Sequence, residues 1–151
     1  MHKPWQHLLV AITVLSIVQV ACGQESTRIR QTGYSMEPNF QDGDLFRVEE
    51  IPLADLQRGD LIVVEHDGKL LLKRLIGLPN ETVSIQDGTV FINGAAVDES
   101  YEVVPATYTM DEVLLDSHSY FILGDNRPDS IDSHQLGPVH GDAIKGKAIP
   151  E

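Results

Sequence analysis

Short apolar runs alternate with polar, glycine-containing turns along most of the chain after residue 24. The runs are rich in β-branched residues, which is typical of strands, and they read DLFRVEEI, DLIVVEH, LLLKRLIG, ETVSIQ, TVFING and YFILGD. Three residue pairs favour hairpin turns because they accept left-handed backbone angles: Asp67-Gly68, Asp87-Gly88 and Asn93-Gly94. A single helical turn is expected near residues 53–57. The pattern predicts an all-β domain with an antiparallel sheet that is coiled or barrel-like.

The first 24 residues have a different pattern. A short head containing Lys3 precedes an apolar run from Leu8 to Val18 and then small residues, which is typical of an export or anchoring segment. At about 1.5 Å of rise per residue, this apolar stretch is shorter than the ~30 Å hydrocarbon core of a membrane. Residues 1–24 are therefore predicted to be a membrane anchor or a lipoprotein-type signal, and residues 25–151 the folded domain.

Cys22, the single cysteine, closes the apolar run. The segment VQVAC resembles the lipobox at which bacterial lipoproteins are acylated and cut, but Gln19 stands where a large apolar residue is usual. Acylation of Cys22, a short uncleaved anchor and ordinary secretion all stay open. A lone cysteine also means that no disulfide within the chain supports an exported domain.

Composition and charge narrow the function. The chain has 151 residues, which fits one compact domain, and 42% hydrophobic residues argue against disorder in its body. A formal net charge of −12 with 11 lysines and arginines argues against nucleic-acid binding, because neutralising phosphates needs a basic face. The histidines lack the spacing of metal ligands, so neither a metal site nor a cofactor is predicted.

Ser35 is the first candidate for chemistry. It lies in GYSMEPNFQDGD, inside a turn stiffened by Gly33, Pro38 and Gly43. A serine in a turn is ordinarily only a turn residue, and it becomes a nucleophile when an adjacent base activates it. A lysine can be that base only if burial lowers its pKa from about 10.4.

Lys73 is the candidate base, because the other lysines of the body lie after a turn or in a glycine-spaced tail. In a strand with a period of two, Lys73 shares a face with Leu71 and Leu75, while Arg74 lies on the other face. The pattern does not say which of the two basic residues points inward, but only the lysine can give up its proton. A surface lysine that extends its amine into solvent is the alternative.

The stretch YFILGDNRPDSIDSHQLGPV carries a strand into a loop crowded with polar residues. A calcium loop does not fit, because Arg127 would fill a ligand position and Leu136 would replace the bidentate glutamate. A hydrogen-bonded surface loop is the alternative to a functional one.

Four segments in order, SMEPNF, RGDLIVV, LLKRLIGLPNETV and GDNRPDSIDSHQLGPV, resemble the successive boxes of type I signal peptidases, which are Ser-Lys endopeptidases. The resemblance covers residues 31–148. It implies that Ser35 is the nucleophile, that Lys73 is its general base, and that the Ser35 backbone N–H with a group at Gly33 forms the oxyanion hole. Ser130 would hydrogen-bond to Lys73 and orient it. The supporting residues of that loop would be Asp125, Asn126, Arg127 and Asp132.

Three residues depart from the family's boxes. Asn39 stands where threonine is usual, Asn80 where glycine is usual, and His134 where arginine is usual. Loss of the arginine weakens an ion pair with the acidic loop, which His134 would restore only when protonated. Residues 84–119 form the single insertion between the lysine box and the acidic box.

The resemblance implies a membrane-tethered serine endopeptidase whose catalytic domain lies on the outer face of the cytoplasmic membrane. Its partners would be the signal peptides of exported preproteins and membrane lipid. Two alternatives stay open: a dedicated Ser-Lys peptidase for a single partner, such as a pilus or conjugation subunit, and a catalytically silent module that binds an envelope partner.

Overall fold

Two antiparallel sheets, of seven and four strands, make up the part of the chain that the computed structural model describes, residues 27–151. The predicted anchor, with Cys22, lies outside the described residues. The strands are β1 (Thr27–Arg30), β2 (Leu45–Glu49), β3 (Leu61–His66), β4 (Lys69–Gly77), β5 (Thr82–Gln86), β6 (Thr89–Ile92), β7 (Ala95–Ala96), β8 (Met110–Leu114), β9 (Ser119–Leu123), β10 (Val139–His140) and β11 (Ile144–Pro150).

Helical structure within residues 27–151 is limited to one short helix and three 3₁₀ turns. These are α1 (Ser133–Leu136) and the turns Leu53–Asp55, Arg127–Asp129 and Gly141–Ala143. Within this range no helix has the length and apolar character needed to cross a membrane. The prediction of an all-β, antiparallel domain is confirmed.

The three predicted hairpin turns are also confirmed. Asp67-Gly68 joins β3 to β4, Asp87-Gly88 joins β5 to β6, and Asn93-Gly94 joins β6 to β7. All six residues have positive φ, from 46° at Asp87 to 79° at Gly88, as tight hairpin turns between twisted strands require.

The large sheet has the strand order β1-β2-β11-β3-β4-β9-β10. Its curvature positions the functional region, because β1 and β4 are separated by three strands and yet line one cleft, with Ile29 on one wall and Leu70 on the other. Buried side chains on one face of this sheet form a core around Met36, Phe46 and Leu72.

The glycine-spaced tail is a strand, which the sequence pattern did not predict. β11 lies between β2 and β3 and pairs with both. The apolar alternation of a strand is not apparent in β11, because Lys145 and Lys147 face outward. They pair with Glu65 at 2.8 Å and with Asp60 at 2.6 Å, respectively. Gly146 interrupts the register against β3.

The smaller sheet has the order β7-β6-β5-β8 and is built mostly from residues of the predicted insertion. It packs on the end of β4 and on β9 through a second buried cluster that includes Val83, Leu115 and Phe121. Gly77 permits this contact, since a Cβ there would lie 2.7 to 2.8 Å from all three side chains.

The segment between β7 and β8, residues 97–109, has no regular secondary structure and is called here the connecting segment. It crosses the loop that follows β9: Val104 N donates to the Asp125 carbonyl at 3.0 Å, and Arg127 N donates to the Val104 carbonyl at 3.2 Å. The insertion therefore reaches the acidic loop.

Candidate active site

Ser35 lies in the turn between β1 and β2, and the turn is held from two sides. Met36 is fully buried against Phe46, and its carbonyl accepts a hydrogen bond from Phe40 N at 2.9 Å. On the other side, Asn126 N donates to the Ser35 carbonyl at 3.0 Å. The apolar neighbour and the backbone bonds together fix where the serine hydroxyl lies.

Lys73 reaches this hydroxyl from β4. The residue is 3% exposed, and its Nζ lies 2.8 Å from Ser35 Oγ and 3.0 Å from the Leu72 carbonyl. Burial lowers the pKa of Lys73 from 10.5 to about 8, although the negative charges of Asp132 and Asp125 act in the opposite direction. Burial has this effect because it penalises the charged amine more than the neutral one. A substantial neutral fraction is therefore present at mildly alkaline pH.

Arg74 is buried on the opposite face of β4, so both basic residues of the pair point into the protein. Its guanidinium makes two hydrogen bonds to Asp125, at 3.1 and 2.5 Å. Tyr101 of the connecting segment stacks over the guanidinium at 4.0 Å, and Phe40 lies at 6.0 Å. Arg74 thus fixes Asp125, whereas Lys73 faces the serine.

The loop after β9 is organised by Asp132. One of its carboxylate oxygens accepts from Gly124 N at 2.9 Å, and the other accepts from His134 N at 3.1 Å, where it caps α1. Arg127 is buried in the same loop, donates to the Gly124 carbonyl at 2.9 Å and pairs with Glu99 of the connecting segment. These contacts hold the loop beside the serine turn.

Gly33 lines the same cleft as Ser35. Its own N–H donates to Asp42 Oδ1 at 2.8 Å and is therefore engaged. The Ser35 N–H, in contrast, has no hydrogen-bond acceptor within residues 27–151. Of the two groups expected at the oxyanion position, the serine amide is the one whose hydrogen is unengaged.

The expected hydrogen bond from Ser130 to Lys73 is not made. Ser130 is 6% exposed, and its Oγ has no hydrogen-bond partner within the described range. The hydroxyl instead packs over Gly124, where an added Cβ would collide with it. The Lys73 amine meanwhile contacts Ser35 and Leu72.

His134 does not replace the arginine as an ion-pair partner of the acidic loop: in the described part of the chain its side chain forms no salt bridge with a carboxylate. Its ring stacks on Tyr108, with centroids 3.6 Å apart and planes inclined by 11°. Burial raises the pKa of Tyr108 to about 12, so its hydroxyl is neutral at physiological pH. The His134 ring thus makes an aromatic contact to the connecting segment.

Several contributors were not identified from the sequence. Tyr101 and Glu99 come from an irregular segment with no strand or turn signal, and only an aromatic residue amid acidic ones hints at them. Asn39, which the sequence marked only as a departure, donates to the Glu102 carbonyl at 2.7 Å and to Asp125 Oδ2 at 2.9 Å. It ties the serine turn to the connecting segment.

A cleft of about 640 Å³ opens beside Ser35 and Lys73. Its two walls are strand edges, because β1 pairs only with β2 and β4 pairs with β9 only from Arg74 onward among the described strands. Three of the large apolar side chains that are exposed lie at its rim: Tyr34, Leu70 and Ile131. Within residues 27–151 no group of three or more His, Asp or Glu side chains is placed to hold a metal ion.

Comparison with known proteins identifies the family that this chain matches. The family model described as "Signal peptidase, peptidase S26" matches residues 4–150. Probable signal peptidase I-2 of Synechocystis sp. is 36% identical over 127 aligned positions, which cover 76% of this chain and 57% of that protein. Signal peptidase I of Bacillus licheniformis is 33% identical over 157 aligned positions, which cover 94% of this chain and 83% of that protein.

A solved structure is also similar. The crystal structure of a signal peptidase I from Enterococcus faecalis matches with a TM-score of 0.54 and 34% sequence identity, covering 62% of this chain and 96% of that one. At this identity the likeness extends beyond the fold alone.

Proposed function

Since the chain belongs to the peptidase S26 family of signal peptidases, we propose that it is a serine endopeptidase that cleaves signal peptides from exported preproteins, with Ser35 as nucleophile and Lys73 as general base. The observation that carries the assignment of roles is the 2.8 Å separation between Lys73 Nζ and Ser35 Oγ. The two alternative functions are not favoured, because the relatives named above are all called signal peptidase I.

In the proposed reaction, neutral Lys73 accepts the hydroxyl proton of Ser35 as Oγ attacks the scissile carbonyl. The resulting ammonium then gives that proton to the leaving amine, and an acyl-serine remains. Water, deprotonated by the same lysine, hydrolyses the ester and regenerates the serine. One amine serves both half-reactions because it lies within hydrogen-bond reach of Oγ.

The oxyanion that develops during attack would be stabilised by the Ser35 N–H, which is unengaged in residues 27–151. A donor aimed at such an oxygen is worth about 3 kcal/mol of barrier lowering. The Gly33 N–H would contribute only after releasing Asp42. Asn126 and Asp132 are assigned supporting roles, since they hold the turn and the loop through backbone bonds.

An extended substrate would lie between the two open strand edges of the cleft. Main-chain hydrogen bonds to both edges would supply affinity, and the side chains between them would select small residues before the cut. The cleft is open to solvent, as expected of a site that accepts many sequences through their backbone.

We also propose that residues 1–24 tether the domain to the outer face of the cytoplasmic membrane. Acylation at Cys22 and an uncleaved anchor would both place the domain there, and the short stretch to Ser35 would keep the site near the lipid. The exposed rim residues Tyr34, Leu70 and Ile131 would face that lipid.

The test is cleavage of an exported preprotein by the full chain in detergent, beside Ser35→Ala and Lys73→Met. Both variants should lose activity by about 10³-fold or more, since residues that act as a unit fail together. Circular dichroism of the variants controls for folding. Cleavage that survives either substitution would reject the assigned roles, and an intact preprotein with the unaltered chain would reject the proposed activity.

A further inference from the structure

One buried polar side chain in the wall of the cleft has no part in the proposed chemistry. Gln31, four residues before Ser35, is 4% exposed and lines the cleft together with the apolar Ile29 and Leu72. Buried amides are ordinarily hydrogen-bonded in full, because an unpaired one keeps the cost of its lost hydration.

The backbone of Gln31 fixes where its side chain lies. Its N–H donates to the Asp44 carbonyl at 2.8 Å, and its carbonyl accepts from Gly43 N at 2.9 Å, so both backbone groups point away from the free edge. In the side chain, Nε2 donates to the Gly33 carbonyl at 3.2 Å. The amide is therefore held in one place by the turn that carries the serine.

The amide oxygen of Gln31 is the part of the side chain that lacks a hydrogen-bond partner within residues 27–151. It accepts no hydrogen bond from any residue in 27–151. This oxygen also keeps some accessible surface. Among the described residues only one side-chain polar atom, Ser130 Oγ, is both fully buried and without a partner. Since Gln31 lines the cleft, a partner for this oxygen would come from the cleft.

We propose that Gln31 is a specificity-determining residue whose amide oxygen accepts a hydrogen bond from a hydroxyl of the substrate. The cleft would then favour serine over alanine at one of the three positions before the cut. The reason is that an alanine there displaces water from the amide without replacing its hydrogen bond, whereas serine replaces it. This inference rests on the proposed function and names a substrate class for it.

The test uses a preprotein-derived peptide with alanine at the three positions before the cut and three variants, each with one serine. The unaltered enzyme should cleave one serine variant about 3- to 10-fold faster, in kcat/KM, than the alanine parent, the range expected for one hydrogen bond. Gln31→Met keeps the length of the side chain without its acceptor, and it should bring this serine-to-alanine ratio to about one. Gln31→Glu retains an acceptor and should retain the preference for serine.

The outcomes separate the two proposals. An enzyme that prefers alanine at all three positions, or a serine-to-alanine ratio that Gln31→Met leaves unchanged, overturns the inference and leaves the proposed function in place. The first of these comparisons needs no variant, so poor folding of Gln31→Met does not protect the inference. Failure of the unaltered enzyme to cut even the alanine parent overturns the proposed function and this inference with it.

Discussion

Two opposing effects act on the pKa of the Lys73 amine. Its burial disfavours the ammonium, while the negative charges of Asp132 and Asp125 favour it, and burial is the larger effect. A lysine left at its ordinary pKa would be protonated at neutral pH and could not accept a proton from serine. The burial of the amine is therefore part of the proposed chemistry.

We predict that kcat/KM rises with pH and reaches a plateau above an apparent pKa of about 8. Below that pH the folded enzyme holds Lys73 as the ammonium, so the active fraction falls tenfold per pH unit. The measurement is peptide cleavage between pH 6 and 10, with fluorescence at each pH to show that the protein stays folded. A flat profile would exclude Lys73 as the base.

The same residue should make the enzyme less stable than a variant that lacks it. Because the folded pKa of about 8 lies below the unfolded 10.5, the unfolded chain binds more protons between these values and the free energy of unfolding rises with pH there. Below pH 8 the full penalty applies, about 3 kcal/mol at 1.36 kcal/mol per unit. Lys73→Met should remove it, less the lost hydrogen bonds, and gain about 1 to 3 kcal/mol at pH 7.

Urea unfolding at pH 7 and at pH 10.5 measures this difference. The advantage of Lys73→Met should shrink at the higher pH, where the folded chain holds a neutral amine and half of the unfolded chains do as well. Equal differences at the two pH values would mean that packing, and not the buried charge, separates the proteins.

For individual residues, the sequence predicted which side chains belong to the site better than it predicted which atoms they contact. Lys73 was chosen over Arg74 because only the lysine can give up its proton, the roles of Ser35 and Lys73 came from the family resemblance, and the structure brings the two side chains together. The expected hydrogen bond from Ser130 to Lys73 is not made, since it depends on where a loop side chain turns. Local sequence does not encode that.

Among the elements, strands with clean alternation and Asp-Gly or Asn-Gly turns were predictable, whereas β1, β8 and β11 were not. β8 lies at the edge of the small sheet with Asp111, Glu112 and Leu114 exposed, so it has no apolar face to read. β11 is central, but outward lysines and a glycine conceal it. Tertiary pairing, rather than local preference, makes both into strands.

The connecting segment gives a prediction at the scale of an element. Tyr101 covers the Arg74 guanidinium with its ring, and its hydroxyl donates to Glu99 at 2.7 Å. Tyr101→Phe keeps the ring and should cost at most about 1.5 kcal/mol of unfolding free energy. Tyr101→Leu also loses the stacking on the cation and part of the packing, and should cost about 2 to 4 kcal/mol.

Kinetics of the two Tyr101 variants show whether the segment positions the site. Asp125 and Asn126 connect the Arg74 pair to the serine turn, so Tyr101→Leu should lower kcat several-fold with little change in KM, and Tyr101→Phe should stay close to the unaltered enzyme. Equal losses in both variants would place the effect on the hydroxyl instead of the ring.

For the whole molecule, the site is assembled from segments far apart in the chain: the turn at Ser35, the strand at Lys73, the connecting segment and the loop around Asp132. The sheet that joins them is curved, so the strands on both sides of the cleft belong to one hydrogen-bonded layer. The fold class follows from the sequence pattern, but the curvature that sets the width of the cleft is a property of the complete sheet.

The place of β11 has a consequence for biosynthesis. Every residue assigned to the site is translated before β11. This strand nevertheless joins β2, which follows the serine turn, to β3, which pairs with the lysine-bearing strand β4. A nascent chain that lacks it would hold the serine and the lysine on two separate hairpin-like pieces with open edges. The peptidase should therefore be inert until β11 has left the ribosome and inserted between β2 and β3.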